Sequence, residues 1–258
     1  TGMSCPQKTS PPGYQGGKNT SALRGGLADA ITNLVNSDPR KDAFKTYLEP
    51  CAGMLNVMYT LVAGKKLSFV DSWLADDINP DVVALLKAGI ATGSDSFPTF
   101  DTFTESNYKE HATSSMDADR EGNAERAFYA LATTWTNIWF NGWNDNIATD
   151  ASGGRPYKLA NFRTGLDNLR AGLKDTGVVV ECKDLFDRDT PKNAIVYVDP
   201  PYMDNTFNKN PYFQWDANMR RLFWARMKEW SKPEHGNLVL VSEYADVQDV
   251  DGWECVWE

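Results

Sequence analysis

The stretch IVYVDPPYMDN, residues 195–205, places an aspartate, two prolines and a tyrosine directly after an apolar run. The apolar run predicts a buried strand, and the prolines predict that it ends in a stiff turn. Asp199 and the carbonyl of Pro200 offer hydrogen-bond acceptors, and Tyr202 offers an aromatic face. Two acceptors beside a stacking ring suit a planar heterocycle with an exocyclic amine, such as adenine or cytosine. We therefore interpret this turn as a functional loop rather than only a structural Asp-Pro turn.

A second turn of this kind lies in AFKTYLEPCAGMLNVMYTLVAG, residues 43–64. This segment predicts a strand at about 44–49, a turn at Pro50–Gly53 and then a helix. In open α/β sheets, ligands bind outside the carboxyl ends of the strands. The loop contains neither GxGxxG nor GK[ST], so it is not a dinucleotide fingerprint or a P-loop. Its own residues leave a ligand loop and a purely structural turn equally open.

Strands and helices alternate at both ends of the chain, which predicts a parallel-rich α/β sheet. The second strand is either LSFV (67–70) or the stretch ending at LADDI (74–78). Residues 92–125 show no clear period, and residues 142–162 are loop-like. The remaining predicted helices are 23–35, 80–89 with Gly89 as its stop, 125–141, 162–177 and 219–233, and the remaining strands are 178–185, 193–198 and 236–244. We expect a catalytic domain of residues 1–92 and 179–258 that carries an inserted region, 93–178.

The composition indicates a globular protein, with 258 residues, 41% of them apolar, and a net charge of −9. Residues 151–232 hold 14 Lys and Arg against 10 Asp and Glu, while the remainder holds 12 against 25. One face is therefore able to be basic, although ordinary solvated faces explain the charge equally well. No apolar run is long enough to span a bilayer, and the start of the chain lacks a signal-peptide segment, so we expect a cytoplasmic protein. Four scattered cysteines and two distant histidines predict neither disulfides nor a metal site.

VYVDPPY (196–202), YLEPCAGMLNV (47–57) and YQGGK (14–18) together resemble the AdoMet-dependent amino-methyltransferases. They are most similar to the Dam-type (D12 class, alpha-group) DNA adenine-N6 methyltransferases, whose segments follow the same order. LADDINPDVVALL, WFNGWNDN and NLVLVSEY resemble further segments of that family. The resemblance implies a Rossmann-like AdoMet-dependent methyltransferase sheet with an inserted, mainly helical or loop target-recognition region, and a bacterial, phage or plasmid origin.

The resemblance also implies a binding site for S-adenosyl-L-methionine (AdoMet). The residues that would line it are Tyr14, Gly16, Gly17, Lys18, Glu49, Pro50, Cys51, Ala52, Gly53, Asp77 and Asp199. Asp77 would bind the ribose hydroxyls, with Asp71 as its rival, and DDIN matches the family better. Cytosine-C5 methyltransferases use a Pro-Cys dipeptide as a nucleophile, but here Cys51 falls in the cofactor loop beside an intact DPPY. The loop is poorer in glycine than is usual in the family.

For catalysis, the resemblance assigns Asp199, Pro200, Pro201 and Tyr202 to the target base. Hydrogen bonds from the N6 amine to Asp199 and to the Pro200 carbonyl would aim the nitrogen lone pair at the sulfonium methyl group. The sequence leaves open whether Asp199 also takes up the proton. Because this amine lies inside double-stranded DNA, the base would be flipped out and stacked on Tyr202.

Target recognition would come from polar and basic residues in and after the Gly-rich loop of the insertion. They are Asn141, Trp143, Asn144, Asn146, Arg155, Lys158 and Arg163. Asn suits adenine and Arg suits guanine in the major groove, although such a cluster is first of all typical of a loop. Arg220, Arg221 and Arg226 either face phosphates or form a solvated helix face. The last residues, WECVWE, are typical of the start of a strand, so we expect the hairpin that completes this sheet in the family to be shortened or absent.

The prediction is a site-specific adenine-N6 DNA methyltransferase that acts on double-stranded DNA without a metal or membrane. Asp rather than Ser ahead of PPY favours adenine over cytosine N4, and the acidic charge keeps RNA or a protein amide open as the acceptor. A non-catalytic AdoMet-fold protein that binds nucleic acid is the other alternative, and the intact Asp199 and Glu49 argue against it. The recognition sequence, a partner nuclease and the oligomeric state do not follow from the sequence.

Overall fold

A computed structural model describes residues 9–12, 26–99, 101–112, 122–136, 154–200, 216–243 and 250–256. Its sheet has five strands in the order β3-β2-β1-β4-β5, and every neighbouring pair is parallel. The strands are β1 Thr46–Glu49, β2 Ser72–Asp77, β3 Val179–Cys182, β4 Ala194–Val198 and β5 Leu238–Val241. The α-helices are α1 Leu27–Ser37, α2 Asn56–Ala63, α3 Pro80–Thr92, α4 Glu105–Ala112, α5 Ala124–Thr136, α6 Gly154–Leu173 and α7 Ala217–Trp230. This confirms the predicted α/β fold class.

The sheet separates two apolar clusters, as expected for parallel strands that are covered on both faces. Tyr47, Ile195 and Tyr197 belong to the larger cluster, whereas Leu48 and Val196 belong to the smaller one. This division follows the two-residue period of a strand. The larger cluster takes in side chains from α1, α2, α3, α5 and α6, and the smaller one is covered by α7. By the same period, Glu49, Asp77 and Asp199 fall on the face of the larger cluster, and Asp76 falls on the opposite face.

The helices between residues 93 and 178 are not a separate core. Phe97, Phe128 and Phe162 are buried in the same cluster as Tyr47 and Ala75 of the sheet. The aromatic rings there stack or meet edge to face, with Phe97 and Phe128 centroids 5.2 Å apart. The role of this region in target recognition stays a prediction.

Two local predictions were wrong. The helix after Pro80 does not stop at Gly89 but runs to Thr92, and Gly93 closes it with a left-handed φ of 65°. Gly89 instead lies against Leu166 of α6, where a Cβ would sit 2.9 Å from a methyl carbon.

Residues 154–162, expected as loop, begin α6, and residues 105–112 form α4 in the stretch without a clear period. Of the two alternatives for the second strand, the one ending at LADDI is confirmed.

Candidate functional site

Three carboxylates lie at the carboxyl edge of the sheet, each where a strand ends. Glu49 closes β1, Asp77 closes β2 and Asp199 directly follows β4. β1 is the central strand, with β2 paired on one side and β4 on the other. The strand order therefore reverses at β1, and such a switch point opens a crevice for a ligand.

The loop between β1 and α2 is fastened to the end of β2 through its backbone. Ala52 N–H donates to the Asp76 carbonyl at 2.9 Å, and Gly53 N–H donates to Asp77 Oδ2 at 2.9 Å. Gly53 and Leu55 both have left-handed backbone angles, with φ of 49° and 58°. Leu55 pays a steric cost for this conformation that glycine would not, which indicates a turn held by its surroundings. A leucine thus stands at one of the two left-handed positions of this loop.

Glu49 is a buried carboxyl with one backbone partner. Its Oε2 accepts from Met58 N–H at 3.1 Å, and only 3% of the residue is exposed. Burial raises the pKa of Glu49 to about 8, and the negative charge of Asp199 adds to the rise, whereas the bond from Met58 opposes it. The side chain is therefore largely protonated at neutral pH in the free protein. A cation placed beside Glu49 and Asp199 would favour its ionised form.

Asp77 accepts two backbone hydrogen bonds, from Gly53 to Oδ2 and from Asn79 to Oδ1 at 2.8 Å. Burial raises its pKa to about 6 despite these bonds. Its rival, Asp71, is exposed and precedes β2, where its N–H donates to the Lys45 carbonyl. Asp71 therefore lies at the amino edge of the sheet, the wrong edge for the crevice. The geometry favours Asp77 as the ribose ligand.

Asp184 is a further acidic residue at this edge, and the sequence analysis missed it. It follows β3, and its side chain caps a short 3-10 helix by accepting from Phe186 N–H at 2.9 Å. Burial raises the pKa of the Cys51 thiol, and the charges of Asp77, Asp199 and Asp184 add to this rise. These carboxylates are therefore close enough to Cys51 to act on its thiol. No sequence signal singled out Asp184, because the strand predicted over 178–185 runs through it, whereas Asp77 was identified from the resemblance of DDIN to the family.

Cys51 is consequently a poor nucleophile. A thiol attacks as its thiolate, and a raised pKa leaves almost no thiolate at neutral pH. This supports its interpretation as a loop residue rather than as the cysteine of a cytosine-C5 enzyme.

On the other face of the sheet, an ionic network holds the ends of β2 and β3 together. Arg188 bonds Asp76 at 3.2 Å and Glu181 at 2.7 Å. Burial raises the pKa of Asp76 to about 6, while Arg188 lowers it. Arg226 of α7 donates to the Arg188 carbonyl, and its guanidinium carbon lies 5.4 Å from the Trp230 ring centroid. Arg226 thus has an internal structural role, which leaves Arg220 and Arg221 as the arginines of α7 to consider for phosphate contacts.

Arg163 also has internal partners. It was predicted to touch DNA, but its guanidinium donates to the carbonyls of Phe97 and Pro98 at 2.7 and 2.6 Å. Asp167, one turn along α6, accepts from Ser94 N–H at 2.7 Å. Both side chains therefore fasten the segment after α3 to α6.

Several predicted site residues lie outside the described residues: Tyr14, Gly16, Gly17, Lys18, Pro201, Tyr202, Asn141, Trp143, Asn144 and Asn146. Arg155 and Lys158 belong to α6, and their side chains are likewise outside the description. Of the remaining predicted residues, Glu49 to Gly53, Asp77, Asp199 and Pro200 come together at one edge of the sheet.

A parallel α/β sheet with carboxylates at its switch point defines the class of α/β enzymes that bind nucleoside-containing cofactors in that crevice. A sequence model of the family described as D12 class N6 adenine-specific DNA methyltransferase matches residues 14–251. The chain belongs to that family, and it is an adenine-specific DNA methyltransferase; membership of this family implies AdoMet as the methyl donor.

No curated protein sequence matches the chain. Among solved structures, it is similar to an rRNA methyltransferase, AviRa, from Streptomyces viridochromogenes, with 15% sequence identity and a TM-score of 0.36. That match covers 84% of this chain and 74% of the other.

Within the described ranges, no helix is long and apolar enough to cross a membrane. Those ranges also hold no group of three or more His, Cys, Asp or Glu side chains arranged to bind a metal ion.

Proposed function

We propose that this protein transfers a methyl group from AdoMet to the N6 amine of an adenine flipped out of double-stranded DNA at specific sites. The observation that carries the proposal is the position of Asp199. It follows β4 at the switch point and acts electrostatically on the buried Glu49 of the central strand. Transfer of a methyl group to a base needs a base-binding carboxylate beside a cofactor loop, and the proximity of Asp199 to Glu49 supports these roles.

The cofactor pocket would be formed by the loop Glu49–Gly53 and by Asp77. The donor set fits AdoMet, because buried carboxylates suit a ligand that carries a positive sulfonium and an ammonium group. Asp77 already accepts two backbone bonds, and each carboxylate oxygen has a second lone pair left for a ribose hydroxyl. When bound, AdoMet supplies an electrophilic methyl group. Tyr14, Gly16, Gly17 and Lys18 would complete the pocket, as the resemblance implies.

The chain's part in the reaction is positioning and hydrogen bonding. Asp199 and the Pro200 carbonyl would accept hydrogen bonds from the target amine and orient its lone pair towards the methyl group. AdoMet, held by the loop Glu49–Gly53 and Asp77, would supply the methyl group to the amine nitrogen and keep the electrons of its carbon–sulfur bond, and the amine would release one proton. Pro201 would stiffen the turn, and Tyr202 would stack on the extruded base for about 1–3 kcal/mol. That contribution offsets part of the few kcal/mol needed to flip the base.

Target recognition is assigned to region 93–178. Asn141, Trp143, Asn144 and Asn146 would approach the bases, together with Arg155 and Lys158 of α6. Arg163, which its residue type had placed in this set, has two internal carbonyl bonds that favour a supporting role instead.

The test is transfer of a labelled methyl group from AdoMet to unmethylated double-stranded DNA. RNA and duplex DNA that contains cytosine but no adenine are tested in parallel. Digested product should contain N6-methyladenine, and mapping of the labelled fragments should give one short recognition sequence. Asp199→Ala is the matched inactive control. Label only in RNA, or only as N4-methylcytosine, would overturn the proposed substrate.

A further inference from the structure

A short segment near the start of the chain, residues 9–12, packs against two helices, α2 and α6. Asn168 of α6 donates to the Ser10 carbonyl at 2.7 Å, and the Thr9 hydroxyl lies 2.6 Å from the Tyr59 hydroxyl of α2. Pro11 and Pro12 are buried. The segment 9–12 thus contacts both helices, although these helices are separated by about a hundred residues in the sequence.

The packing of this segment against α6 depends on a glycine of that helix. A Cβ on Gly165 would lie 2.4 Å from Pro12 N, 2.5 Å from Pro12 Cα and 2.8 Å from the Pro11 carbonyl carbon. These atoms belong to the backbone, so they cannot move aside as the end of a flexible side chain can. Any side chain at this position therefore pushes the segment off α6.

The same face of α6 holds α2. Gly172 follows Gly165 by seven residues, with Asn168 between them, and this spacing places all three on one side of the helix. A Cβ on Gly172 would lie 2.5 Å from the ring of Tyr59. Tyr59 is buried, and its hydroxyl is the atom that faces Thr9. One helix face thus fixes the segment 9–12 and α2 relative to each other.

α2 adjoins the proposed cofactor pocket, and the segment 9–12 contacts α2 through Thr9 and Tyr59. α2 follows directly on the loop that begins at Glu49, and its Met58 N–H binds the Glu49 carboxylate. Pro12 stands two residues before Tyr14, where the predicted cofactor segment begins and where the family match starts. The two prolines restrict the backbone, so fixing the segment 9–12 limits where the next residues can go.

We propose that Gly165 and Asn168 are positioning residues for AdoMet binding. They act by holding the segment 9–12 and α2 together on one face of α6, which fixes the start of α2 and the Met58 N–H that binds Glu49. This inference rests on the proposed function. It gives α6 a role in the cofactor half of the enzyme, although the sequence analysis placed this helix in the target-recognition region.

The experiment measures AdoMet binding by calorimetry, without DNA, for wild type and three variants of the full chain. Gly165→Ala should weaken binding at least tenfold, because the added Cβ prevents the segment 9–12 from packing against α6. Asn168→Asp keeps the shape but removes the donor to the Ser10 carbonyl, and it should weaken binding about fivefold. Gly89→Ala is the control, because its Cβ meets the side chains of Leu166 and Leu169 of α6 and not the segment 9–12. It should bind AdoMet within threefold of wild type, whatever its melting temperature.

Steady-state kinetics distinguish a positioning role of these residues from a general loss of structure. With unmethylated double-stranded DNA as the substrate, the KM for AdoMet should rise in Asn168→Asp. Its kcat at saturating AdoMet should stay within about twofold of the wild-type value. Wild-type affinity in both Gly165→Ala and Asn168→Asp would overturn the inference. Equal weakening in Gly89→Ala would also overturn it, since the effect would then be one of helix packing. Failure of the wild-type protein to bind AdoMet would instead contradict the proposed function itself.

Discussion

AdoMet binding should tighten strongly as the pH rises from 6 to 8, because Glu49 has to lose a proton. Burial raises the pKa of Glu49 to about 8 in the free protein, so its carboxyl is neutral over most of this range. In the proposed complex, a positively charged ligand sits beside Glu49 and Asp199 and favours the carboxylate. The cofactor then displaces a proton, and the cost of that displacement disappears once the pH exceeds the pKa of the free protein.

The size of the effect follows from that pKa. A carboxyl with a pKa of 8 is about 1% ionised at pH 6 and half ionised at pH 8, so the apparent Kd should fall roughly 50-fold. The pKa of Asp77 is about 6, so its ionisation changes only from about half to nearly complete. Asp77 therefore adds about twofold to the change.

Calorimetry at pH 6, 7 and 8 measures this dependence, and buffers with different ionisation enthalpies count the proton released. Glu49→Gln keeps the shape of the side chain and removes its titration, so only the roughly twofold change from Asp77 should remain. Any titration of the amino group of AdoMet affects the wild-type protein and the variant equally, so it cancels in the ratio of their affinities. A wild-type affinity that is flat between pH 6 and 8, or an equally steep Glu49→Gln variant, would refute the reasoning.

Asp199→Ala should abolish methyl transfer because the amine loses its acceptor, while AdoMet affinity measured by calorimetry stays within about tenfold; persisting transfer contradicts the assigned role. Asp77→Ala should weaken AdoMet binding by about tenfold or more, whereas Asp71→Ala, at the opposite edge of the sheet, should leave the same titration unchanged. The reverse result would move the ribose site. Arg163→Ala should lower the free energy of unfolding by about 1.5–3 kcal/mol through its two lost carbonyl bonds, as measured by urea denaturation. DNA affinity and its salt dependence should then be unchanged, and a reduced salt slope would return this arginine to the DNA interface.

The sequence predicted the sheet well, and it predicted the carboxyl edge as the candidate site, because strand ends followed by Pro or Asp are strong local signals. It did not resolve the second strand, since LSFV is as apolar as a strand. The structure shows why that stretch is not one: Leu67 has a left-handed φ of 54°, which no strand accommodates.

The start of α6 was missed for a different reason. Gly153, Gly154 and Pro156 are typical of a loop, yet Pro156 stands in the first turn of the helix, where a backbone N–H has no partner to lose. Asp184 was missed because it lies among Lys183 and Asp187, where charge alone does not single out one residue. Only the convergence of neighbouring strands brings it to Cys51. The internal partners of Arg163 depend on packing between distant segments, which local sequence does not encode.

The aromatic core that α5 and α6 share with the sheet sets limits on engineering. Grafting region 93–178 from a relative with another recognition sequence would take Phe128 and Phe162 out of the core and cut Leu166 off from Gly89. Such a chimera should fold poorly unless the junctions fall inside the region and leave α6 in place. New sequence preferences are then better sought between residues 137 and 153, which join α5 to α6, than by exchange of the whole insertion. Evolution of recognition in this chain would face the same constraint.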